Sequence, residues 1–563
     1  MKNSLLNISL LSFITGFLFI MLSVYTGLSL EGYKSPLTHN YNEVLEHGIP
    51  LSEKVVLVVV DGLRYDVSMN MDYLKKLREN GADFISWTEI PSLSYPGWTA
   101  ILSGAKPEIS GVLLNWGNKE VHIENIFSVT KEMHLQNAVV GTPEWWYLFG
   151  NNITGGEKIE PTSDCILSDT HVKNSALRLV RSQSNFTLIH FLSVDFAGHA
   201  HGGNSIQYLE RAREIDGYIK EIAKELDWNT TTLIVTSDHG HLDRGGHGGE
   251  ETLARKAFAV FYGKGIRKMK GEIHQIDICP TISNILGIKI PAAAQGRIIF
   301  ECLDQSPQNE AIYSYLLMKQ RYLFCKSYFT SVKSNIELNN SYVSEAYAAI
   351  LSGNTTYAKE ISEKGLKEYD RQIEVVHASI EIDQKLNVSA IMLLLFIFVP
   401  WCVCILFRKA KISVSSLLKS GVFAGLLVLM YSFIFFLIGL DFSFSVFNEA
   451  TDVSKTMIIS FFVPGILVAS FITLYGYLKL KKTPGDVFSI EKEGTAIYGI
   501  LLSAFVTYIG INAILYGFVF TYFLTNLRAF MRVFLGGFIS AGMLMYLAIG
   551  LQILEAIRGY MKK

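Results

Sequence analysis

The sequence predicts a doubly wound α/β domain between an N-terminal transmembrane anchor and a C-terminal bundle of about five transmembrane helices. Apolar, β-branched runs alternate with helical patterns in the middle of the chain, which is typical of a parallel sheet covered by helices on both faces. One apolar run of membrane-spanning length precedes this region and five follow it. The mean hydropathy of +0.28 is high for a wholly soluble protein and comes from these terminal runs.

Composition excludes some classes of function. The chain of 563 residues has 50 Lys+Arg against 51 Asp+Glu, so no electrostatic feature indicates a nucleic-acid partner. Its six cysteines show no CxxC or zinc-knuckle spacing. The sequence therefore predicts no cysteine metal site, and it leaves one or two structural disulfides open.

The chain begins with an apolar run from Leu5 to Leu28 that follows Lys2. The run is long and lacks a small-x-small cleavage site, which favours an uncleaved anchor over a cleaved signal peptide. We predict four parts: the anchor (1–30), a catalytic domain outside the cytoplasm (31–340), a helical stalk (341–388) and a five-helix membrane region (389–563).

Strands and helices alternate through the predicted catalytic domain. The run Val55–Val60 is continuously apolar and predicts a strand buried on both faces. Further segments follow in order, with strands expected at Phe84–Ile90, Phe186–Val194, Thr231–Val235 and Phe258–Tyr262, and helices at Met71–Asn80, Ile206–Leu226 and from Trp98 onward.

The predicted C-terminal spans are residues 389–407, 417–440, 457–478, 496–520 and 533–556. Basic clusters fall in alternate loops, for example Arg408, Lys409 and Lys411, whereas the loop from Asp441 to Ser454 is acidic. Cytoplasmic loops are enriched in Lys and Arg, so we expect both termini in the cytoplasm. Only Arg528 and Arg532 depart from this pattern.

Polar side chains of metal-binding or nucleophilic type lie at the ends of the predicted strands. Carboxylates and imidazoles are the ligands that zinc prefers, and open α/β sheets bind their ligands at the carboxyl ends of strands. Each residue alone could be a helix cap or a surface side chain, but the combination indicates a metal centre. The residues are Asp61, Ser94, Asp195, His199, Asp238, His239 and His247.

These motifs carry a family resemblance. Asp61-Gly-Leu-Arg, Ser94-Tyr-Pro, Asp195-x-x-Gly-His199, Ser237-Asp-His-Gly240 and His247-Gly resemble the alkaline phosphatase superfamily. The nearest branches are the nucleotide pyrophosphatases/phosphodiesterases and the glycosylphosphatidylinositol (GPI) ethanolamine phosphate transferases. The resemblance covers about residues 54–300 and implies an alkaline-phosphatase-like fold.

The resemblance also implies a site with two divalent ions, expected to be zinc. One ion would be held by Asp195, His199 and His247. The other would be held by Asp61, Asp238 and His239, with Ser94 as a further ligand and as the nucleophile. A segment that begins at Ser103-Gly matches the phosphodiesterase branch and gives Asn115 the role of hydrogen-bonding the phosphoryl oxygen.

Several departures from the family pattern matter. The phosphodiesterase branch commonly has threonine at the position of Ser94, and the neighbouring Ser92 is an alternative nucleophile. Trp98 stands where sulfatases need arginine, so we reject a sulfatase. His201, His241 and His274 have no family role and are expected on the surface or behind the ligands, while Asp243, Arg244 and Glu250 are candidates for substrate contact.

The sequence therefore predicts an integral membrane phosphodiesterase or phosphotransferase that uses two zinc ions and a phosphoserine intermediate. Its substrate would be a phosphate ester, with a lipid-linked ester as one option, and the sequence indicates no protein partner. The alternatives are a phosphoethanolamine-type transferase acting on a glycan or lipid and, in a different class, a catalytically inactive membrane scaffold.

Overall fold

A computed structural model of the chain describes residues 2–37, 47–116, 120–163, 165–437, 441–447, 450–483, 487–516 and 527–561. The chain divides into two compact units, residues 33–379 and residues 1–32 with 380–563. We call them the α/β unit and the helical unit. The finer division into anchor, catalytic domain, stalk and membrane region stays a prediction.

The α/β unit contains one eight-stranded sheet with the strand order β4-β3-β5-β1-β6-β7-β2-β8. The central strand β1 pairs in parallel with β5 on one side and with β6 on the other. The strands are β1 (Lys54–Val60), β2 (Ala82–Trp87), β3 (Asn137–Gly141), β4 (Gly155–Lys158), β5 (Phe186–Phe191), β6 (Thr231–Thr236), β7 (Lys256–Gly263) and β8 (Met269–His274).

Helices accompany this sheet in the α/β unit. The first helix of the chain, α1 (Lys2–Glu31), comes before the sheet in sequence and belongs to the helical unit. The helices of the α/β unit are α2 (Tyr65–Ser68), α3 (Asp72–Asn80), α4 (Ser94–Ser103), α5 (Pro107–Ser110), α6 (Ile126–Glu132), α7 (Glu144–Phe149), α8 (Ile166–Leu179), α9 (Ser193–His201), α10 (Ile206–Ala223), α11 (Thr252–Arg255), α12 (Ile278–Leu286), α13 (Pro307–Ser331) and α14 (Ser341–Leu351).

The α/β fold class is confirmed, and the apolar run of β1 explains why. Residues 55–60 are all buried, and their side chains alternate between the two faces of the sheet. Burying each such side chain contributes about 1.5–3 kcal/mol relative to exposure, which favours a central strand covered on both faces. All described cysteines are free, so the disulfides that the sequence left open do not form in this structure.

The sheet differs from the sequence prediction in three respects. It is mixed, because β7 runs antiparallel to both β6 and β2. The short strands β3, β4 and β8 were not predicted, since none is a long apolar run. The predicted strand Phe186–Val194 ends at Phe191, because the chain turns into helix α9 two residues later.

The helical unit contains six helices that are long and apolar enough to cross a membrane, counted within the described residues. Their number and approximate positions agree with the prediction, although residues 438–440 and 517–520 of two predicted spans lie outside the described residues. The helices after α14 are α15 (Thr355–Lys409), α16 (Val414–Leu437), α17 (Ala450–Lys482), α18 (Val487–Tyr516) and α19 (Leu527–Met561).

Two glycines of the α/β unit provide a matched test of packing. A Cβ at Gly81, after α3, would lie 2.2 Å from the Phe261 carbonyl oxygen, whereas a Cβ at Gly217 in α10 would meet no atom within 4 Å. We expect Gly81→Ala to lower the apparent melting temperature. Gly217→Ala should raise it slightly, because alanine favours the helix by about 0.5–1 kcal/mol. Thermal unfolding of the full-length protein followed by tryptophan fluorescence checks both, and equal shifts would contradict this packing.

Candidate active site

The predicted site residues meet at one edge of the sheet because β5, β1 and β6 are parallel neighbours. Their carboxyl ends point the same way, so the segments that follow them converge. Asp61 follows β1 directly, Asp238 and His239 follow β6, and Asp195 lies on α9 after β5. The geometry thus gathers residues that are up to 186 positions apart in the chain (61 to 247).

Three of these side chains, Asp61, Asp238 and His239, form a first group. Each offers one potential ligand atom, these atoms lie within 4.8 Å of one another, and all three residues are buried. Gly62, the next residue after Asp61, lets the Asp195 side chain approach this turn closely. A Cβ at position 62 would lie 2.7 Å from Asp195 Oδ1, and the φ of +67° favours glycine. The Gly62 amide also donates to Asp238 Oδ1 at 3.1 Å.

A second group surrounds Asp195. The i,i+4 spacing on α9 places His199 Nε2 3.3 Å from Asp195 Oδ2. His247 Nε2 lies 3.1 Å from His199 Nε2 and 3.6 Å from Asp195 Oδ1. The structure therefore brings together all three residues that the resemblance assigns to one ion.

Hydrogen bonds set which imidazole nitrogen faces the groups. His239 Nδ1 lies 3.2 Å from the Gly240 carbonyl oxygen, and His247 Nδ1 lies 3.0 Å from the Ser92 carbonyl oxygen. A carbonyl oxygen only accepts, so each Nδ1 carries a proton and each Nε2 faces the groups, where it would offer a lone pair once a bound cation takes the place of any proton there. This is the tautomer that a metal-binding histidine needs.

The charge balance of the site also fits bound cations. Burial, followed by the negative charge of Asp61, raises the pKa of Asp238 to about 7. Burial lowers the pKa of His239, but Asp238 and Asp61 outweigh it and raise the value to about 10. Asp61 Oδ1 is buried without a hydrogen-bond partner. Without a cation, the buried carboxylates therefore hold protons on Asp238 and His239, and divalent cations would replace those protons.

Ser94 lies beside these groups as the first residue of α4. Its hydroxyl oxygen is 3.2 Å from His239 Nε2 and accepts a 3.4 Å hydrogen bond from Asn115 Nδ2. Asn115 is held in turn because its Oδ1 accepts from the Tyr95 amide at 2.9 Å. The Ser92 hydroxyl instead donates to the Gly249 carbonyl oxygen and accepts from the Gly248 amide, so it secures the loop that carries His247.

Two functional neighbours were not singled out from sequence in this role. His190, on β5, is fully buried and lies 3.0 Å from Asp61 Oδ2 through its Nε2. The Trp98 indole donates to Asp238 Oδ2 at 2.8 Å, so the residue used to reject a sulfatase orients a carboxylate of the site. The sequence signal for His190 is that a histidine stands in a strand whose other residues are mostly apolar, which indicates a buried imidazole that needs a polar partner.

The additional histidines and charged residues have different locations. His201 and His274 are exposed, as expected for surface residues. His241 is fully buried, and its Nε2 lies 2.7 Å from Asp195 Oδ1, so it belongs to the site. It also forms a potential metal group with Asp195, His239 and His247. Of the candidates for substrate contact, Asp243 forms an ion pair with Arg64 at 2.5 Å.

Comparisons with known proteins agree with this geometry. Residues 55–158 and 148–251 match the family model described as type I phosphodiesterase/nucleotide pyrophosphatase. GPI ethanolamine phosphate transferase 1 of Candida glabrata is 24% identical over 413 residues, which are 62% of this chain and 44% of that protein. The human GPI ethanolamine phosphate transferase 2 catalytic subunit is 25% identical over 289 residues, 47% of this chain and 29% of that protein. The chain thus spans less than half the length of these relatives.

Solved structures that match part of this chain include human ectonucleotide pyrophosphatase/phosphodiesterase 5, at 14% identity and a TM-score of 0.39, covering 45% of this chain and 100% of that chain. The alkaline phosphatase PafA has 13% identity and a TM-score of 0.38, covering 46% and 100%. The match of residues 55–251 to the phosphodiesterase/nucleotide pyrophosphatase model confirms the resemblance that the motifs indicate.

Proposed function

We propose that this chain is a membrane-bound transferase that uses two zinc ions to move a phosphoethanolamine-type group from a lipid donor to a glycan or lipid acceptor. The observation that carries the proposal is the position of the Ser94 hydroxyl, 3.2 Å from His239 Nε2 at the amino end of a buried helix. The motifs alone favoured a phosphodiesterase. The two relatives described above are both GPI ethanolamine phosphate transferases, which favours transfer.

Two residue sets would hold the ions. Asp195, His199 and His247 would form one set, and Asp61, Asp238 and His239 the other, with Ser94 at its open side. Buried carboxylates and lone pairs on Nε2 suit zinc. When bound, the ions would lower the pKa of the Ser94 hydroxyl and balance the negative charge of the phosphoryl group. His241 is a further candidate ligand or a support for Asp195.

The residues of the chain would divide the reaction between them. Ser94 Oγ would attack the phosphorus atom and form a phosphoserine while the bond to the lipid oxygen breaks. Asn115 Nδ2, which already faces Ser94, would donate a hydrogen bond to a phosphoryl oxygen. Ser94 is also the first residue of α4, and the partial positive charge at the amino end of a helix favours an anion there. A hydroxyl of the acceptor would then displace Ser94 and complete the transfer.

The membrane arrangement supports a substrate outside the cytoplasm. The protein is an integral membrane protein with six helices of spanning length within its described residues. The positive-inside pattern of Arg408, Lys409 and Lys411, together with the other basic loops, supports a topology with both termini in the cytoplasm. The α/β unit would then lie in the lumen or outside the cell, where it can meet a lipid-linked acceptor.

Hydrolysis of diesters is the second candidate, because the matching family model describes phosphodiesterases. Water would then take the place of the acceptor hydroxyl in the second step. The inactive-scaffold hypothesis has less support, since every predicted ligand is present and the ligands converge.

The nucleophile can be tested by substitution. Ser94→Ala should reduce transfer from labelled phosphatidylethanolamine by a factor on the order of 10³ or more in the full-length protein in lipid. Ser94→Thr should retain activity, since it keeps a hydroxyl. Ser103→Ala, at the far end of the same helix, is the matched control. Full activity of Ser94→Ala would exclude the mechanism, and release of free phosphoethanolamine without transfer would favour the hydrolase.

Metal dependence gives a second test. Dialysis against a chelator should remove both activity and bound metal, and zinc should restore both. Elemental analysis of the purified protein should find about two zinc ions per chain. A fully active protein without bound metal would exclude the proposed chemistry.

The support of Asp61 by His190 gives a third test. His190→Ala removes the partner of Asp61 Oδ2 and should weaken metal affinity roughly 10- to 100-fold, as is typical when a residue that orients a ligand is lost. Competition with a chromophoric chelator measures the affinity. His201→Ala removes an exposed histidine at the end of α9 and should leave the metal affinity unchanged. Equal affinities for wild type and His190→Ala would show that His190 does not orient the ligand.

A further inference from the structure

The carboxylate of Glu144 lies at the same edge of the sheet as the proposed nucleophile and has no assigned role. Glu144 is the first residue of α7, three residues after β3 ends at Gly141. β3 runs parallel to β5, so its carboxyl end faces the site. The end of β3 packs closely against β5, since a Cβ at Gly141 would lie 2.9 Å from the Cβ of His190.

A chain of aromatic contacts connects Glu144 to the site. Trp145 stacks on Trp98 with ring centroids 4.4 Å apart, and the Trp98 indole donates to Asp238. Tyr95 follows Ser94 and packs against Trp98 at 5.4 Å. Burial and then the negative charge of Glu144 raise the pKa of the Tyr95 hydroxyl.

The Glu144 carboxylate is poorly compensated. Its Oε2 atom is buried and has no hydrogen-bond partner within the described residues, although the side chain is partly exposed. No ion pair to Glu144 occurs in the described part of the chain. A carboxylate that loses part of its hydration without gaining a donor is destabilised as an anion, and a bound cation would relieve this cost.

The surroundings suit an ammonium group in particular. Tyr147 is 57% exposed one turn along α7, and Trp146 on the same helix and Tyr95 on α4 are half-buried, so three aromatic side chains belong to the segments that carry Glu144 and Ser94. The Lys158 ammonium already lies 5.3 Å from the Trp146 ring centroid, which shows that rings of α7 accept this type of cation. A carboxylate adds hydrogen-bond acceptors that a primary ammonium can use and a quaternary one cannot.

We propose that Glu144, with Tyr95 and Tyr147, forms a subsite that binds the primary ammonium of an aminoalkyl phosphate whose phosphoryl group lies at Ser94. The inference rests on the proposed function for the position of the phosphoryl group. It adds the residues that would recognise the amine of the transferred group and so select an amine-bearing phosphate over a neutral one. The ammonium binds the carboxylate in the ground state, so the selection is measurable by binding as well as by turnover.

The test compares two ligands that differ only in this charge. Calorimetric titration of the zinc-loaded, full-length protein with phosphoethanolamine and with N-acetylphosphoethanolamine measures the preference for the ammonium. We expect wild type to bind phosphoethanolamine roughly 10- to 100-fold more tightly. Glu144→Gln, which keeps the shape and removes the charge, should abolish the preference by weakening phosphoethanolamine alone. Glu157→Gln, an exposed carboxylate on β4, should keep the wild-type preference.

Three results would overturn the subsite: no preference in wild type, an unchanged preference in Glu144→Gln, or equal weakening of both ligands, which would show a purely structural role. Ser94→Ala separates this proposal from the proposed function. A variant that keeps the ammonium preference and still transfers would refute the nucleophile while leaving the subsite intact. Loss of turnover in Ser94→Ala combined with no ammonium preference in wild type would refute the subsite alone.

Discussion

The convergence of Asp61, Asp195 and Asp238 at one sheet edge is the constraint on which the rest of the site depends. Buried carboxylates at this separation repel one another and need cations, fixed hydrogen bonds or both. The chain supplies the hydrogen bonds through Trp98 and His190. Divalent cations would replace the protons that Asp238 and His239 otherwise retain, so a metal centre is the consistent interpretation.

Two residues outside the site, Tyr208 and Asp169, hold the backbone segments that carry the predicted metal ligands. Tyr208 on α10 donates to the Gly62 carbonyl oxygen at 2.5 Å and accepts from the Arg64 amide, so it holds the turn after Asp61. Asp169 on α8 accepts from the amides of Leu192 and Ser193 and holds the start of α9. Burial raises the pKa of Asp169 to about 6, so this carboxylate is charged at neutral pH and can accept both hydrogen bonds.

The aromatic residues around Ser94 form an apolar wall on one side of the polar site. Trp98 orients Asp238 with its indole nitrogen and stacks on Trp145 with its ring, so one side chain joins the polar centre to an apolar wall. Such a wall excludes water from one side of the reaction centre and strengthens the electrostatic interactions there. A transferase needs this property more than a hydrolase does, because water competes with its acceptor.

The sequence by itself determined the fold class, the central strand β1, the six apolar helices and the residue types at the strand ends, because these features depend on local periodicity and composition. Only the tertiary structure decided that β7 is antiparallel, that His241 contacts Asp195 and that His190 contacts Asp61. Those contacts join residues 46 and 129 positions apart, and no local pattern specifies such a pairing. The same holds for Glu144, whose place beside the site follows from the pairing of β3 with β5.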